Sequence, residues 1–303
     1  MYNMDTVQEP KNHRAGFVNI IGNPNVGKST LMNALVGEKL SIVTAKAQTT
    51  RHRIMGIVNG ENYQIVYSDT PGILKPNYRL QENMMDFVDT AIGDADIILY
   101  VTDVIEKADK NSEYVNRLKD LDCPVIIVVN KIDVSDQGKV LKLMSEWQER
   151  VPGALVIPVS AKERFNLESV LNAVISRLPV SPAWFDKDAF TDKNLRFFAS
   201  EIIREKILEN YSQEIPYCCE VAIEAFKEEE ERYEISAVIY VMRDSQKGIL
   251  IGRGGSALKK TGSAARIEME DFFQKKVFLN IFVKVDPDWR ENRRELRKFG
   301  YEE

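Results

Sequence analysis

Gly22-Asn23-Pro24-Asn25-Val26-Gly27-Lys28-Ser29-Thr30 reads G-x-x-x-x-G-K-[ST], with the apolar run Phe17–Ile21 before it and the helix-like stretch Leu31–Val36 after it. A strand, a glycine loop and a helix in that order are the setting in which this motif binds phosphate. The two glycines let the backbone curl so that successive N–H groups point at phosphate oxygens, and the helix N-terminus adds its dipole. Lys28 is placed to reach the β- and γ-phosphates, and the Ser29 hydroxyl to ligate Mg²⁺.

Three further signatures follow, each at the end of a strand-like run. Asp69-Thr70-Pro71-Gly72 closes the alternating run Tyr63–Tyr67. Its aspartate suits the Mg²⁺ shell, and the Gly72 amide suits the γ-phosphate. Asn130-Lys131-Ile132-Asp133 follows the apolar Val125–Val129. The Asp133 carboxylate only accepts hydrogen bonds, which matches the N1–H and 2-amino donors of guanine. Adenine would leave it unpaired, a mismatch costing on the order of 10⁴-fold. Asn130 is expected to tie the loops together, and the Lys131 stem to lie along the base. Ser160-Ala161-Lys162, after Ala154–Val159, offers a backbone N–H to the guanine carbonyl. Four such motifs at the carboxyl ends of strands mark the ligand crevice of an open α/β sheet.

The chain has 303 residues, 44% hydrophobic and 29% charged, which are values of a globular protein of one or two domains. Cys123, Cys218 and Cys219 cannot all pair, and the neighbours Cys218 and Cys219 read as reduced strand residues rather than metal ligands. No run reaches the ~18 apolar residues of a membrane span, and no signal-peptide pattern opens the chain. A cytoplasmic location is therefore expected.

Charge is uneven. Arg243–Lys298 holds 14 Lys/Arg against 8 Asp/Glu, a net of +6 in a chain of net −5, which suggests an anionic partner for that end. Two alternating strands, Arg232–Met242 just before it and Val277–Val285 within it, enclose Gly252-Arg253-Gly254-Gly255 between two helical stretches. That turn is the G-x-x-G signature of a KH domain, whose glycines admit the sugar–phosphate backbone. Lys247, Lys259 and Lys260 extend the basic patch around Arg253. With helix 194–210 and strand 217–225 before it, the order is α-β-β-α-α-β, the prokaryotic (type II) KH topology.

The fold expected is an α/β P-loop GTPase domain, a mostly parallel doubly wound sheet, followed by an α+β KH domain. Its strands fall near 17–22, 52–59, 62–69, 96–102, 124–130 and 154–159. The expected boundaries are a flexible tail at 1–14, the GTPase domain at 15–178, and a proline-bearing linker at 179–193. The KH domain follows at 194–285 and a basic tail at 286–303. That tail either extends the RNA surface or caps the domain. Glu228–Glu231 reads as an exposed hairpin connection.

Over about residues 15–301 the chain resembles the Era family of bacterial ribosome-assembly GTPases. The resemblance rests on the motifs above, on Lys46-Ala47-Gln48-Thr49-Thr50-Arg51-His52-Arg53, and on Ala199–Lys206, Ser245–Gly248, Ile251–Gly255 and Leu258–Lys260. It implies GTP/GDP with Mg²⁺ as ligands and binding to 16S ribosomal RNA near its 3′ end. It also implies a part in 30S subunit assembly and a peripheral membrane fraction. Nothing in the sequence suggests more than a monomer. Thr261, in Lys260-Thr261-Gly262, stands where the family pattern leads one to expect an apolar residue.

Phosphoryl transfer needs positioning and charge neutralisation. Lys28, Thr50 and Gly72 are the residues expected to serve it, with Ser29, Thr50 and Asp69 at the metal and Thr49 the second choice for Thr50. Ras-like proteins carry a water-orienting glutamine where this chain has Ile73, so slow intrinsic hydrolysis is expected. Asn25 resembles the asparagine with which some relatives hold K⁺. His52, in a basic switch, is expected to be a surface or RNA contact. Two function classes remain: a GTPase switch that sets the state of an RNA-binding domain, and a nucleotide-independent RNA chaperone in which GTP binding is structural.

Overall fold

A computed structural model describes residues 12–106 and 112–302. They gather into two compact units that interleave in sequence. The first holds the chain to Ser41, Arg53–Ile73 and Phe87–Asp192; the second holds Ile42–His52, Leu74–Asp86 and the chain from Lys193 onward.

The first unit is built on β1 (Arg14–Gly22), β2 (Ile54–Asn59), β3 (Tyr63–Asp69), β4 (Ile97–Asp103), β5 (Val125–Asn130) and β6 (Leu155–Pro158), in the order β2-β3-β1-β4-β5-β6. Every neighbouring pair is parallel except β2 with β3. β4 is buried along its whole length and β5 at all but its first residue, as central parallel strands require. The helices are α1 (Lys28–Val36), the part of α2 (Arg79–Gly93) from Phe87 on, α3 (Ser112–Lys119), α4 (Gln137–Arg150) and α5 (Leu167–Arg177). α1 packs on β1, β2 and β3, and α4 on β5 and β6, with Trp147 of α4 meeting Tyr100 of β4 at 5.3 Å between ring centroids. α4 starts where the Asp136 carboxylate accepts from Lys139 N–H. A buried polar network braces the sheet: Arg53 donates to Asp94 (2.5 Å), Ser68 Oγ (3.0 Å) and Asn19 Oδ1 (3.2 Å). Arg53, Ser68 and Asn19 are buried and each finds a partner here, while Asp94 sits exposed at the edge of the network.

The strands match the alternation read from sequence to within a few residues. The expected tail falls on residues 1–11, outside the described residues, and on 12–14, where Arg14 already opens β1. Of residues 179–193, expected as a linker, 179–192 run along the first unit. Ile57 N–H donates to Phe190 O, Thr191 Oγ1 to Met55 O and Gln64 Nε2 to Phe185 O. Two prolines end helical structure there, and the edge strand β2 takes up the freed backbone groups.

The second unit carries α6 (Leu195–Asn210), α7 (Ile215–Cys218), β7 (Cys219–Glu228), β8 (Arg232–Val241), α8 (Asp244–Ile251), α9 (Ser256–Phe273), β9 (Lys276–Val285) and α10 (Arg293–Lys298). β7 and β8 form an antiparallel hairpin whose tip is the exposed Glu228–Glu231. β9 returns parallel to β8 after the α8–α9 crossover, so the sheet order is β7-β8-β9. Ile203, Ile207, Ile235, Ile239, Ala265 and Met269 fill the core beneath it. Thr261 is buried there too. Its hydroxyl reaches Tyr211 Oη at 3.3 Å, and that phenol donates to Leu250 O, so the polar group costs the helix packing nothing unsatisfied.

Candidate functional site

The first unit brings together every nucleotide residue expected from the sequence except Thr50, at the carboxyl ends of β1, β3, β5 and β6. After β1 the loop turns through positive φ at Asn25 and Gly27 and enters α1 at Lys28. Lys28 is buried, and its Nζ donates to the carbonyls of Gly22 and Asn23 at 3.2 and 2.9 Å. Burial pushes its pKa down to about 8, against the opposing charges of Asp69 and Glu106. An ammonium so poorly solvated gains strongly from an anion. Ser29 Oγ donates to Asp69 Oδ2 at 2.6 Å, which joins two hard oxygen ligands suited to Mg²⁺. Among the described residues no cluster of three or more His, Cys, Asp and Glu could hold a metal alone, so phosphate and water oxygens would complete such a shell.

Asp69-Thr70-Pro71-Gly72 runs back over the loop. Thr70 Oγ1 donates to Ile20 O at 2.8 Å, and buried Ile73 donates its N–H to Gly22 O at 3.1 Å. Gly72 has to be glycine, since a Cβ there would lie 2.7 Å from Pro24 Cα. On the base side, Asn130 Nδ2 donates to Val26 O (2.9 Å) while its Oδ1 accepts from Ala161 N–H (3.0 Å). One side chain thus joins three loops. Lys131 reaches Asp103 (2.6 Å) and Asn25 O (2.5 Å), and Ile132 N–H bonds Val159 O. Ser160 Oγ donates to Asp133 Oδ1 at 2.6 Å and leaves the exposed carboxylate oriented with lone pairs to spare. Lys162 is exposed at the rim.

Two acids here carry no motif. Glu106 accepts from Asn23 Nδ2 (2.8 Å) and Thr102 Oγ1 (2.7 Å), and Asp103 pairs with Lys131. Only their place at the end of β4 could have signalled them.

Thr50 is buried in the second unit, beside Arg51. Arg51 is fully buried and donates to Glu220 (2.9 Å), Cys219 O (2.8 Å) and Pro216 O (3.0 Å). Tyr301 Oη donates to the same Glu220 oxygen at 2.8 Å. His52, expected as a surface or RNA contact, instead stacks on Tyr301 with ring centroids 4.1 Å apart and meets Phe197 edge-on. Burial, with the charges of Arg204, Lys193 and Arg51, holds its pKa well below the ordinary histidine value, so it packs as a neutral ring. Lys46 donates to Leu208 O and Tyr211 O.

The glycine turn sits between α8 and α9. Gly252 is at φ 71°, and a Cβ there would lie 2.6 Å from Ala257 Cβ, so the turn and the start of α9 pack too closely for any other residue. Arg253, Lys259 and Lys260 are exposed and Lys247 partly so. A groove of about 360 Å³ opens beside Gly255, lined by Leu258, Lys259, Arg266, Leu279 and Ile281. Its apolar floor and basic rim suit unstacked bases and a phosphate backbone.

Comparison with known proteins agrees with both halves. The family described as 50S ribosome-binding GTPase matches residues 17–131, and the KH domain family matches residues 214–290. GTPase Era of Heliobacterium modesticaldum is 43% identical over 292 residues, covering 96% of this chain and 98% of that protein. The chloroplastic GTPase ERA-like of Oryza sativa subsp. japonica is 42% identical over 295 residues, covering 96% of this chain and 70% of its own length. The crystal structure of Era in complex with MgGDPNP and nucleotides 1506-1542 of 16S ribosomal RNA superposes with a TM-score of 0.92 at 38% identity, covering 96% of this chain and 100% of that one.

Proposed function

The chain belongs to the Era family of GTPases, and from that premise we propose that it is a GTP-driven switch. Its KH domain binds single-stranded 16S ribosomal RNA near the 3′ end and assists 30S subunit assembly. It hydrolyses GTP to GDP and phosphate. The reading rests on one conjunction: the oriented Asp133 carboxylate with the Asn130 brace, on the same chain as a basic G-x-x-G turn over an apolar groove.

In this reading the loop Gly22–Thr30 wraps the phosphates, and Lys28 exchanges the carbonyls of Gly22 and Asn23 for phosphate oxygens. Ser29 and Asp69 would hold Mg²⁺, and Thr50 would join them in the GTP state. Mg²⁺ supplies charge neutralisation at the phosphates. Gly72 N–H meets the γ-phosphate, and Asn130, Lys131, Asp133 and Ala161 N–H read guanine. Ile73 is apolar and buried, so backbone groups or a bound partner orient the attacking water, and unassisted turnover is slow. Asn25 would hold a K⁺, which would supply the charge that an arginine finger gives elsewhere. The protein acts as a monomer in the cytoplasm with a peripheral membrane fraction; among the described residues no helix is long and apolar enough to cross a membrane.

Gly255→Asp is the substitution that tests this assignment. Gly255 lines the groove and a Cβ there meets nothing within 4 Å, but at φ 79° any side chain strains the turn, so the added carboxylate acts by its charge against phosphate together with that strain. RNA affinity should fall more than tenfold while GTP turnover without RNA stays unchanged. Unaltered RNA binding would refute the RNA site.

A further inference from the structure

β9 has two faces with different chemistry. Val277, Leu279, Ile281 and Val283 point into the core and the groove. The alternate residues Lys276, Phe278, Asn280, Phe282 and Lys284 share the opposite face of the sheet and are all exposed, Phe278 at 49% and Phe282 at 58%. The register sets them beside Arg232, Glu234, Ser236, Val238 and Tyr240 of β8. The Tyr240 end of this face is covered, by Phe299 at 5.2 Å between ring centroids and by Lys298 over the phenol ring. At the other end the Arg232 guanidinium lies over the Phe278 ring at 5.5 Å, leaving that ring half-exposed, and Phe282 is more open still.

Edge-strand protection explains the lysines at its two ends but not two exposed rings between them. Aromatic faces for bases, an amide for base edges and flanking cations for phosphate are the side chains of a single-stranded nucleic-acid platform. Four residues of strand set the rings about 13 Å apart. They would therefore catch splayed bases on either side of Asn280, not neighbours in one continuous stack. Glu234, Glu224 and Glu270 already pair with Arg232, Lys284 and Lys276, so stacking outweighs charge on this face.

The route to this face is the edge itself. β9 is the last strand of the sheet, and Leu279 and Ile281 line the groove from its other side. A strand leaving the groove over the edge of β9 comes down on Phe278 and Phe282. We propose that the outer face of β9 is a second single-stranded RNA platform, on which Phe278 and Phe282 stack bases flanking those held in the groove. This rests on the RNA-binding reading above.

The test uses the full chain and two labelled oligonucleotides from the 16S 3′ end. One is about four nucleotides long, enough for a KH groove; the other is extended by about six at each end, to cross the strand edge. The double variant Phe278→Ala/Phe282→Ala should bind the long oligonucleotide at least tenfold more weakly and the short one as wild type does, and Phe278→Leu/Phe282→Leu should restore little. Unchanged affinity for the long one overturns the proposal and leaves the rings to a protein partner. Full rescue by leucine overturns it as well, since stacking would not be the force, and so does equal loss on both lengths. Failure of the wild type to bind either length overturns the RNA reading and this extension together, whereas firm wild-type binding of both, insensitive to the rings, overturns the extension alone.

Discussion

The carboxylate of Asp133 is oriented by Ser160 Oγ and otherwise faces solvent, so its remaining acceptor capacity suits the paired donors of guanine. Asp133→Asn replaces one acceptor with a donor. Preference should move from guanine toward xanthine nucleotides by at least a hundredfold in relative affinity, read by competition binding; unchanged GTP preference would refute the base-reading role. Lys28 makes a pH prediction. With its pKa held at about 8, the side chain is charged below that pH and neutral above it. Phosphate favours the charged form, so nucleotide binding above pH 8 takes up a proton and weakens. Affinity for GDP should fall about tenfold between pH 7 and 9, by titration calorimetry. A flat profile would mean that Lys28 stays charged throughout.

Among the elements, Ile42–His52 is held most firmly at its end. Arg51 and Glu220 are both buried, with Tyr301 and two carbonyls sharing the load. Arg51→Leu leaves a buried carboxylate without its cation, and should cost about 3–5 kcal/mol in urea unfolding of the second unit. A loss under about 1 kcal/mol would show that Tyr301 alone satisfies Glu220. This anchoring was not legible in the sequence. Arg51 and Glu220 lie 169 positions apart, and a basic run reads as a solvated or RNA-facing segment until its partners are known. His52 was misread for the same reason, because its stacking partner Tyr301 closes the chain. Strands such as β4 and β5 were legible, since continuous apolar runs between turn signals have few other meanings. So were the loops that carry the expected nucleotide residues, because motifs of that kind are short and contiguous. Glu106 and Asp103 were not, since an acid at a strand end carries no pattern of its own.

At the scale of the molecule, the chain passes through the second unit twice between its nucleotide motifs, as Ile42–His52 and as Leu74–Asp86. The residues from 286 on, expected as a basic tail, tie both stretches into that unit. Trp289 is fully buried and donates to Cys218 O, Arg290 O accepts from Leu80 N–H, Arg79 pairs with Glu302 at 2.7 Å, and Tyr301 stacks on His52. Of the segments expected to order around the γ-phosphate, Val43–Arg53 and Asp69–Tyr78, the parts Val43–His52 and Leu74–Tyr78 therefore belong to the unit that carries the G-x-x-G turn. Ordering them should alter RNA affinity, and linkage requires RNA to alter GTP affinity by the same factor. The most direct measurement is the affinity of the full chain for a labelled single-stranded oligonucleotide from the 16S 3′ end, with GDP and with a non-hydrolysable GTP analogue. Binding roughly fivefold or more tighter with the analogue is the predicted result. Equal and firm binding in both states would contradict the switch and leave a nucleotide-independent RNA chaperone.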